Sequence, residues 1–290
     1  MAAPLPICYL NGEWLPLAEA KISPLDRSFL FGDGVYEVVP VFAGRPFRFN
    51  EHFDRLSGSC AALRLRDPHD RDGWRAIVRG LMERNGSGDL YVYLQISRGA
   101  DSERAHAPLP QIPPTVFGFA APLSEPGAEQ LARGISCVTA PDIRWARCDI
   151  KSVALLGNVL QRQLSCDVGA DETILLRDGQ MMEATASTAH VVLAGTIVTP
   201  PNSTAILPGT TRSVVEEVAD RLGIARATRA VSEAALRRAE EVWISSSTRT
   251  VSAVTTLDGQ PVGSGKPGPV WQRMRQGIDE LQRALATQPW

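Results

Sequence analysis

The sequence predicts a protein of two domains in which helices and β-strands are mixed. The chain has 290 residues, a length that corresponds to about two domains. Strand patterns, turn signals and amphipathic helix patterns alternate along it, which is typical of mixed α/β structure. Pro122 and Pro126-Gly127 interrupt these patterns. We therefore expect an N-terminal α+β domain over residues 1–121, an interdomain loop over 122–128 and a larger C-terminal domain over 129–290.

The composition is that of an ordinary globular protein, with 44% hydrophobic and 21% charged residues. Its 30 Lys and Arg residues against 32 Asp and Glu residues leave a net charge of −2. Because no basic field is present to attract phosphates, nucleic-acid binding is disfavoured. The stretch 184–211 carries no charged residue, but its prolines and hydroxyl residues favour buried strands and loops near a site. We expect no membrane partner.

The five cysteines are an odd number, lie far apart and form no Cys-x-x-Cys pair. This spacing supports neither zinc binding nor redox chemistry, so we expect reduced thiols in the cytoplasm. The N-terminal residues Met-Ala-Ala-Pro-Leu-Pro have neither the basic nor the apolar region of a secretory signal.

Two hairpins, two helices and two further strands are predicted in the N-terminal domain. Asn11-Gly12 suits the left-handed residues of a tight turn, and Ala43-Gly44 turns the second hairpin. The hairpin strands are expected at residues 7–10, 13–15, 35–42 and 47–49. Asn50 is expected to cap one helix, and a second runs from about Asp72 to a stop signal at Asn85-Gly86. The further strands are expected at residues 90–97 and 115–121.

The C-terminal domain is predicted to contain at least five strands and four helices. The strands are expected at residues 135–139, 173–176, 190–193, 196–199 and 242–245. The helices are expected at residues 153–166, 211–222, 232–239 and 269–286. In the first of these helices one face is apolar, which is typical of an amphipathic helix and is formed by Val153, Leu156, Leu160 and Leu164.

Several familiar motifs are absent. Gly263-Ser264-Gly265-Lys266 lacks the spacing of a phosphate loop, and Pro267 would block the helix that must follow. Gly32-Asp33-Gly34 lacks the third glycine of a dinucleotide fingerprint and is interpreted as a tight turn. The four histidines form no His-x-x-x-His pair, and no Gly-x-Ser-x-Gly elbow occurs. We therefore expect neither a metal nor serine esterase chemistry.

One helix start has the features of an anion site. Thr210 and Thr211 follow Pro208-Gly209 and open a helix, whose free N–H groups and positive end favour a phosphate. A simple threonine cap is the alternative. The hydroxyl run Ser245-Ser246-Ser247-Thr248 at a strand end could serve the same phosphate, or it could be an ordinary turn.

Two further segments carry candidate chemistry. Arg104-Ala105-His106 could clamp a carboxylate, or it could be a solvated loop. Lys151 precedes an apolar helix, where a setting away from water near a positive helix end favours a neutral, nucleophilic amine; a surface charge is the alternative. From the residues alone, the sequence indicates an enzyme for a phosphate-bearing ligand and no particular reaction.

Several motifs, in order along most of the chain, resemble the class IV pyridoxal-phosphate aminotransferases. The matching runs are Asp26-Arg27-Ser28-Phe29-Leu30-Phe31-Gly32-Asp33-Gly34-Val35-Tyr36-Glu37, Asn50-Glu51-His52-Phe53-Asp54-Arg55-Leu56 and Ile206-Leu207-Pro208-Gly209-Thr210-Thr211-Arg212. Arg104-Ala105-His106 and the run from Asp142 to Ser152 look specifically like bacterial D-amino acid aminotransferases. The resemblance implies fold type IV, with a small α+β N-terminal domain and a larger C-terminal domain that contains a barrel-like sheet.

By this resemblance, Lys151 holds pyridoxal 5'-phosphate as a Schiff base and then moves the proton at the substrate Cα. Glu183 stands at the family's glutamate position and would keep the pyridine nitrogen protonated, which deepens the cofactor's electron sink. Leu207 would pack on the ring. The phosphate would be held by Arg55, Thr210, Thr211, Ser246 and Ser247.

The resemblance also implies the substrate and the assembly. In similar D-specific enzymes, three side chains trap the substrate α-carboxylate, and the matching residues are Tyr36, Arg104 and His106. We expect ping-pong transamination from a D-amino acid such as D-alanine to a 2-oxo acid such as 2-oxoglutarate. We also expect a homodimer in which Arg104 and His106 reach the neighbour's site.

Three alternatives remain open. A class IV aminodeoxychorismate lyase or an R-selective amine transaminase would share Lys151 and Glu183 but would not need the Arg-x-His clamp. A non-catalytic pyridoxal-phosphate-binding protein is the third. The chain departs from the family after Glu183, because Thr188-Ala189-His190 stands where the family has Asn-Val-Phe. His190 is interpreted as a packed core residue, with a role in the site as the alternative.

Overall fold

The structure is a computed structural model, and it describes residues 2–86, 88–109, 111–285 and 290. The chain forms two compact units. The first contains Met1–Ser124, Ile150–Leu155 and Gln282–Trp290, and the second contains Glu125–Asp149 and Leu156–Leu281. Ile150–Leu155 groups with the first unit because Ile150 is buried in that unit's apolar core. The predicted domain boundaries place this segment in the C-terminal domain, and they stay a prediction.

The first unit is built on one antiparallel sheet with the strand order β2-β1-β6-β5-β3-β4. Its elements are β1 (Ile7–Leu10), β2 (Glu13–Pro16), a 3₁₀ turn (Leu17–Glu19), α1 (Arg27–Phe31), β3 (Gly34–Phe42), β4 (Arg45–Pro46), α2 (Phe49–Ala62), α3 (Arg71–Asn85), β5 (Leu90–Ser97) and β6 (Thr115–Pro122). The helices α2 and α3 bury apolar side chains against the sheet; the largest are Phe53, Leu56, Trp74 and Leu81. This core holds β3, which lies between β5 and the short edge strand β4, firmly in place.

The first hairpin and the strands β3, β5 and β6 confirm the sequence-based expectation. Two details are wrong. The return strand of the second hairpin is β4 rather than residues 47–49, and Asn50 does not cap α2. The N-cap is Arg48, with φ 58°, and the helix already begins at Phe49. Phe49 packs on Phe53 with ring centroids 4.4 Å apart, so core packing moves the helix start toward the N-terminus.

Polar caps set the bounds of the other two helices. The helix predicted from about Asp72 begins at Arg71, because Asp70 accepts a 2.8 Å hydrogen bond from the N–H of Gly73. Its end at Asn85 is as predicted. The short helix α1 was not predicted. Asp26 caps it by accepting from the N–H of Ser28 at 2.9 Å, and Gly32 ends it in the left-handed region with φ 68°.

The second unit is built on a mixed sheet with the strand order β12-β11-β10-β13-β14-β7-β8-β9, and β15 pairs with β14. Its elements are α4 (Ala128–Arg133), β7 (Ile135–Pro141), α5 (Leu156–Asp167), β8 (Glu172–Arg177), β9 (Gln180–Ala184), β10 (Thr188–Leu193), β11 (Thr196–Thr199), α6 (Thr210–Arg221), β12 (Arg226–Thr228), α7 (Glu233–Arg237), β13 (Glu241–Ser246), β14 (Thr250–Leu257), β15 (Gln260–Pro261) and α8 (Pro269–Ala284). β9 also lies against β10, so the sheet curls back on itself. The expected barrel-like sheet is confirmed.

All five strands predicted for the C-terminal domain are present as β7, β8, β10, β11 and β13, and β9, β12, β14 and β15 were not predicted. The predicted helix end at Ala286 lies outside the described residues. The uncharged stretch 184–211 forms β10, β11 and loops, as expected. Across the described parts of the chain, no helix is both long and apolar enough to cross a membrane.

The helix α5 differs from its prediction in two ways. It begins at Leu156 rather than at residue 153, and its apolar face points outward. Leu156, Leu160 and Leu164 are 71%, 53% and 47% exposed. The buried positions are polar instead: Gln161 donates to the carbonyl of Pro141 at 2.6 Å, and Ser165 is 0% exposed. α5 is thus polar toward its own unit and apolar toward the outside.

Candidate active site

In the first unit, Lys151 lies beside strand β3. The N–H of Tyr36 donates to the carbonyl of Lys151 at 3.0 Å, and the N–H of Lys151 donates to Ser59 Oγ at 3.2 Å. The amine Nζ of Lys151 is 4.1 Å from the centroid of the Tyr36 ring. A cation can be held there by the electrons of the ring face. The structure therefore brings together two of the predicted site residues.

Close backbone approach at Gly32 and Gly34 makes this position possible. A Cβ on Gly34 would lie 2.7 Å from the carbonyl oxygen of Ile96, and one on Gly32 would lie 3.0 Å from Ala154. Residue 154 belongs to the segment that carries Lys151, so a side chain at Gly32 would push this segment away. The Gly-Asp-Gly run is a tight turn, as predicted, and it also makes room for the lysine segment.

A buried charge cluster lies next to this pair. Glu37 is 0% exposed; it accepts from Arg55 Nε at 2.7 Å and from Arg55 Nη2 at 2.9 Å, and His52 Nδ1 is 2.8 Å from the same carboxylate. The predicted phosphate ligand Arg55 is therefore oriented by a carboxylate. The sequence-based reasoning assigned no role to Glu37 or His52. Their position within the family motifs was the feature of the sequence that could have indicated a role for both residues.

The protonation states in this cluster follow from burial and charge. Burial alone would raise the pKa of Glu37, but Arg55 and His52 outweigh it and hold that pKa well below its usual range. Burial lowers the pKa of His52, and the positive charges of Arg55 and Lys151 lower it further, against the opposing effect of Glu37. Glu37 is thus ionised and accepts the Nδ1 hydrogen of a neutral His52.

The predicted carboxylate clamp also lies in the first unit. Arg104 and His106 are exposed, and both pack on the ring of Phe31. The guanidinium carbon of Arg104 is 5.2 Å from the ring centroid, and the imidazole centroid of His106 is 5.6 Å away. The structure therefore brings these two predicted residues to the same aromatic platform.

In the second unit, Glu183 at the end of β9 is a buried carboxylate with defined partners. It accepts from Arg144 Nη1 and, at 3.3 Å to each oxygen, from the N–H of Leu207. Burial raises the pKa of Glu183, and the guanidinium of Arg144 offsets only part of this effect. Two predicted residues, Glu183 and Leu207, are thus in direct contact.

Arg144 connects Glu183 to the loop before α6. Asp142 accepts from Arg144 Nε at 2.9 Å and from Nη2 at 3.0 Å, and the same Nη2 donates to the carbonyl of Ala205 at 3.1 Å. Burial opposes the ionisation of Asp142, but Arg144 overcomes it and lowers the pKa of Asp142. Arg144 therefore stays charged and fixes the orientation of Glu183. The sequence-based reasoning missed this role, although Arg144 lies in the quoted run before Lys151.

The predicted phosphate residues of this unit lie at the start of α6 and at the end of β13, and α6 packs against β13. Thr210 and Thr211 are the first two residues of α6, and Ser246 is the last residue of β13, followed directly by Ser247. Gly209 is the N-cap, and as a glycine it makes no side-chain capping hydrogen bond. Backbone N–H groups at such a start favour an anion.

An orphaned polar atom supports the same interpretation. Ser187 Oγ is buried and has no hydrogen-bond partner in the described part of the chain. A buried hydroxyl without a partner is costly unless a ligand or water satisfies it. Together with the glycine-capped start of α6 and the buried carboxylate of Glu183, this hydroxyl fits a ligand that carries a phosphate and a protonated ring nitrogen. These residues fit pyridoxal phosphate.

His190, the departure from the family pattern, is a core residue of β10. Its Nδ1 is 2.7 Å from Thr199 Oγ1, and its Nε2 is 2.9 Å from Ser245 Oγ. Burial, with a smaller contribution from Arg212, lowers the pKa of His190 to about 3. The imidazole is therefore neutral and links β10 to β11 and β13, as the packed-core interpretation expects. Ser245 is engaged by this contact rather than by a phosphate.

Among the described residues, no cluster of His, Cys, Asp and Glu side chains could hold a metal ion. The family model for amino-transferase class IV matches residues 34–257. The chain belongs to the class IV aminotransferases, and with them to fold type IV.

Among curated relatives, the D-alanine aminotransferase of Staphylococcus aureus (strain MSSA476) is 35% identical over 273 residues, which is 94% of this chain and 96% of the relative. The D-alanine aminotransferase of Bacillus licheniformis is 37% identical over 268 residues, 92% of this chain and 94% of the relative. The relatives thus match the resemblance seen in the motifs.

Among solved structures, the branched-chain amino acid aminotransferase of Escherichia coli has a TM-score of 0.92 and 26% identity, covering 99% of this chain and 97% of that one. The T.th. branched-chain amino acid aminotransferase with pyridoxamine 5'-phosphate has a TM-score of 0.90 and 26% identity, covering 97% and 95%. The fold is therefore shared with branched-chain enzymes, and substrate choice must come from particular side chains.

Proposed function

We propose that this chain is a pyridoxal-phosphate-dependent D-amino acid aminotransferase, which transfers the amino group of a donor such as D-alanine to a 2-oxo acid such as 2-oxoglutarate. One observation carries the choice of substrate: Arg104 and His106 lie together on Phe31, where two donors can bind one carboxylate. Curated relatives with about 35% identity are D-alanine aminotransferases, which supports the same choice.

The cofactor, when bound, supplies an electron sink for the carbanion at the substrate Cα. Lys151 is the residue that attaches it and later carries the proton to and from Cα, and the face of Tyr36 orients the amine for both tasks. Glu183, held by Arg144, bonds the ring nitrogen. The charge of Arg144 favours the ionised form of Glu183, which is the form that accepts a hydrogen bond from a protonated ring nitrogen.

The phosphate is bound by Arg55, by Thr210 and Thr211 at the start of α6, and by Ser246 and Ser247. Glu37 accepts hydrogen bonds from Nε and Nη2 of Arg55 and so fixes the orientation of the Arg55 guanidinium. Leu207 packs on the ring. Within the first unit, the contact with Glu37 orients Arg55 before the phosphate binds, which lowers the entropic cost of binding it.

Tyr36, together with Arg104 and His106 of the second copy in the proposed homodimer, binds the α-carboxylate of the substrate. Fixing the carboxylate decides which substituent of Cα faces the Lys151 amine. The same clamp accepts the carboxylate of the 2-oxo acid in the second half-reaction. A D-amino acid and a 2-oxo acid can therefore use one site in turn.

We also propose that the chain forms a homodimer through α5. A helix that buries Gln161 and Ser165 but exposes Leu156, Leu160 and Leu164 has its apolar face available for a second copy. All five cysteines are free thiols, which supports a reducing, cytoplasmic location.

The first test is the absorbance spectrum of the purified protein loaded with pyridoxal phosphate, before and after adding D-alanine. We expect D-alanine alone to convert the cofactor band, with L-alanine and L-leucine as parallel controls. Conversion by L-leucine would contradict the clamp, and a protein that binds no cofactor would contradict the whole assignment.

Two variants separate the roles within this site. Lys151→Ala should abolish turnover, and near-normal rates would refute its role. Arg104→Ala should keep the cofactor but lose activity on D-alanine. Full retention of that activity would favour the class IV lyase or the R-selective amine transaminase, neither of which needs the clamp.

A further inference from the structure

Arg27, at the start of α1, is a buried cation with two carboxylate partners. It is 3% exposed. Its Nε donates to Asp33 Oδ2 at 2.9 Å, and its Nη1 lies 3.4 Å from Asp101 Oδ2. These carboxylates compensate the charge of the guanidinium, but they do not use all of its donors.

The other donors of Arg27 bind the backbone of the loop that carries the clamp. Nη1 donates to the carbonyl of Ala105 at 2.7 Å, and Nη2 donates to the carbonyl of His106 at 2.8 Å. The side chains of Arg104 and His106 are exposed, so the loop is held from its buried side through its main chain. A planar guanidinium has two terminal nitrogens that can bind two successive carbonyls at once, whereas a lysine ammonium has a single nitrogen.

The carboxylate of Asp101 binds the backbone at both ends of this loop, residues 101–109. It accepts from the N–H of Ser102 at 2.7 Å and from the N–H of Leu109 at 3.4 Å. Phe31, four residues after Arg27, supplies the ring on which Arg104 and His106 pack, and the guanidinium carbon of Arg27 is 4.9 Å from that ring. The short helix α1 thus provides both the anchor and the platform for the loop.

We propose that Arg27 is a positioning residue that holds the 101–109 loop in the conformation in which Arg104 and His106 bind one carboxylate together. This inference rests on the proposed function, since it takes the clamp as the site of the substrate carboxylate. A loop that is ordered beforehand loses less entropy when the substrate binds. The role of Arg27 is therefore expected in the apparent affinity for D-alanine more than in the maximal rate.

The matched pair Arg27→Lys and Arg98→Lys tests this role. Both remove a guanidinium that binds Asp33, since Arg98 donates to Asp33 from Nε at 2.7 Å and from Nη2 at 3.0 Å. The remaining donors of Arg98 reach the carbonyls of Leu63 and Arg64, outside the loop. Only Arg27→Lys therefore releases the clamp loop.

In steady-state kinetics with the loaded enzyme, we expect Arg27→Lys to raise the KM for D-alanine about tenfold or more while kcat changes less than about threefold. Arg98→Lys should leave KM within about twofold of wild type. An unchanged KM in Arg27→Lys overturns the proposal. Equal effects of the two variants also overturn it, because the cause would then be the loss of a partner for Asp33.

Limited digestion by trypsin gives a readout that does not depend on turnover, because trypsin cuts the bond after Arg104. We expect slow cleavage there in the wild-type full chain loaded with pyridoxal phosphate and about tenfold faster cleavage in Arg27→Lys, with Arg98→Lys like wild type. Fast cleavage at Arg104 in folded wild-type protein overturns the proposal even if Arg27→Lys does not fold. A protected Arg104 in a protein that transaminates no D-amino acid overturns the proposed function and supports the anchoring role of Arg27.

Discussion

In each unit, the pKa of a buried carboxyl is set by a few specific partners. Glu37 stays ionised because Arg55 and His52 surround it, and Glu183 has a raised pKa although Arg144 binds it. Both carboxyls are buried, but Glu37 accepts from two nitrogens of Arg55 and contacts His52, whereas Glu183 accepts from one nitrogen of Arg144 and one backbone N–H. The carboxylate of Asp142 raises the pKa of Glu183 further. At the scale of single residues, local partners therefore set the chemistry.

Glu37→Gln should lower the free energy of unfolding by about 3 kcal/mol, because it leaves Arg55 buried without its carboxylate. Since the pKa of Glu37 is lowered, its contribution to stability is full above its ordinary value of 4.5 and is lost as the pH falls below it. Urea titration at pH 7 checks the magnitude. The control is Glu51→Gln, which removes a half-exposed surface pair with Arg48 and should cost less than about 1 kcal/mol. Equal losses in the two variants would argue against the buried cluster.

His190 should make the protein sensitive to acid in a defined window. The pKa of His190 falls from 6.5 to about 3 on folding. Below pH 6.5, His190 is therefore protonated in the unfolded chain while it stays neutral in the folded chain. Stability is then lost as the pH drops from 6.5 toward 3, by up to about 1.4 kcal/mol per pH unit. In His190→Asn, the part of the decrease in unfolding free energy with falling pH that comes from His190 should disappear. Urea unfolding between pH 7 and pH 4 measures it. Parallel slopes for wild type and variant would count against it.

At the scale of elements, caps and core contacts set the helix bounds. α3 begins where Asp70 can accept from Gly73, whereas α2 begins at Phe49 because its ring packs on Phe53. Polar caps can be recognised in a sequence, since they depend on neighbouring residues. Aromatic packing between a helix start and the core is not visible in the same way.

Asp70→Ala should lower the free energy of unfolding by about 1 kcal/mol, because it removes the N-cap acceptor of α3. The measurement is thermal or urea unfolding of the full chain. Asp72→Ala, two residues later, removes only an exposed ion pair with Arg75 and should change stability by less than about 0.5 kcal/mol. If Asp72→Ala proves the more damaging of the two, the cap assignment fails.

At the scale of the whole molecule, the apolar face of α5 is exposed, and no other part of the same chain covers it among the described residues. Four apolar side chains of this helix, Leu156, Val159, Leu160 and Leu164, are about half exposed or more. Water contact with so much apolar surface is unfavourable, and a symmetric partner removes it. The unit itself needs only the polar side of α5, where Gln161 bonds Pro141.

Leu160→Glu should convert the proposed homodimer into a monomer, because it places a charge in the centre of this face. Sedimentation velocity at micromolar concentration checks the mass. Gln272→Glu, an exposed change on α8, is the control and should leave the dimer intact. A Leu160→Glu protein that still sediments as a dimer would show that another surface joins the copies.

Much of the fold was predictable because its signals are local. The hairpin at Asn11-Gly12, the strands β5 and β6, and the end of α3 at Asn85-Gly86 follow from turn residues and alternation. The strands β9 and β14 were missed; β9 directly follows the turn at Asp178-Gly179, and β14 begins two residues after Thr248, the last residue of the hydroxyl run. The family motifs pointed to Lys151 and Glu183 through resemblance, which carries information that periodicity lacks.

The sequence by itself determined the class of this protein, its mixed architecture and the residues that match the aminotransferase motifs, because these depend on composition, local pattern and similarity along the chain. Only the tertiary structure decided that Glu37 binds both Arg55 and His52 and that Arg144 holds Glu183. It also decided that Arg27 bonds the loop of Arg104 and that the apolar side of α5 faces outward. The hydrogen bond from Arg27 to Ala105 joins residues 78 positions apart. Such partners depend on the tertiary fold, because a buried charge must be compensated by a group that lies close in space, however distant it is in sequence.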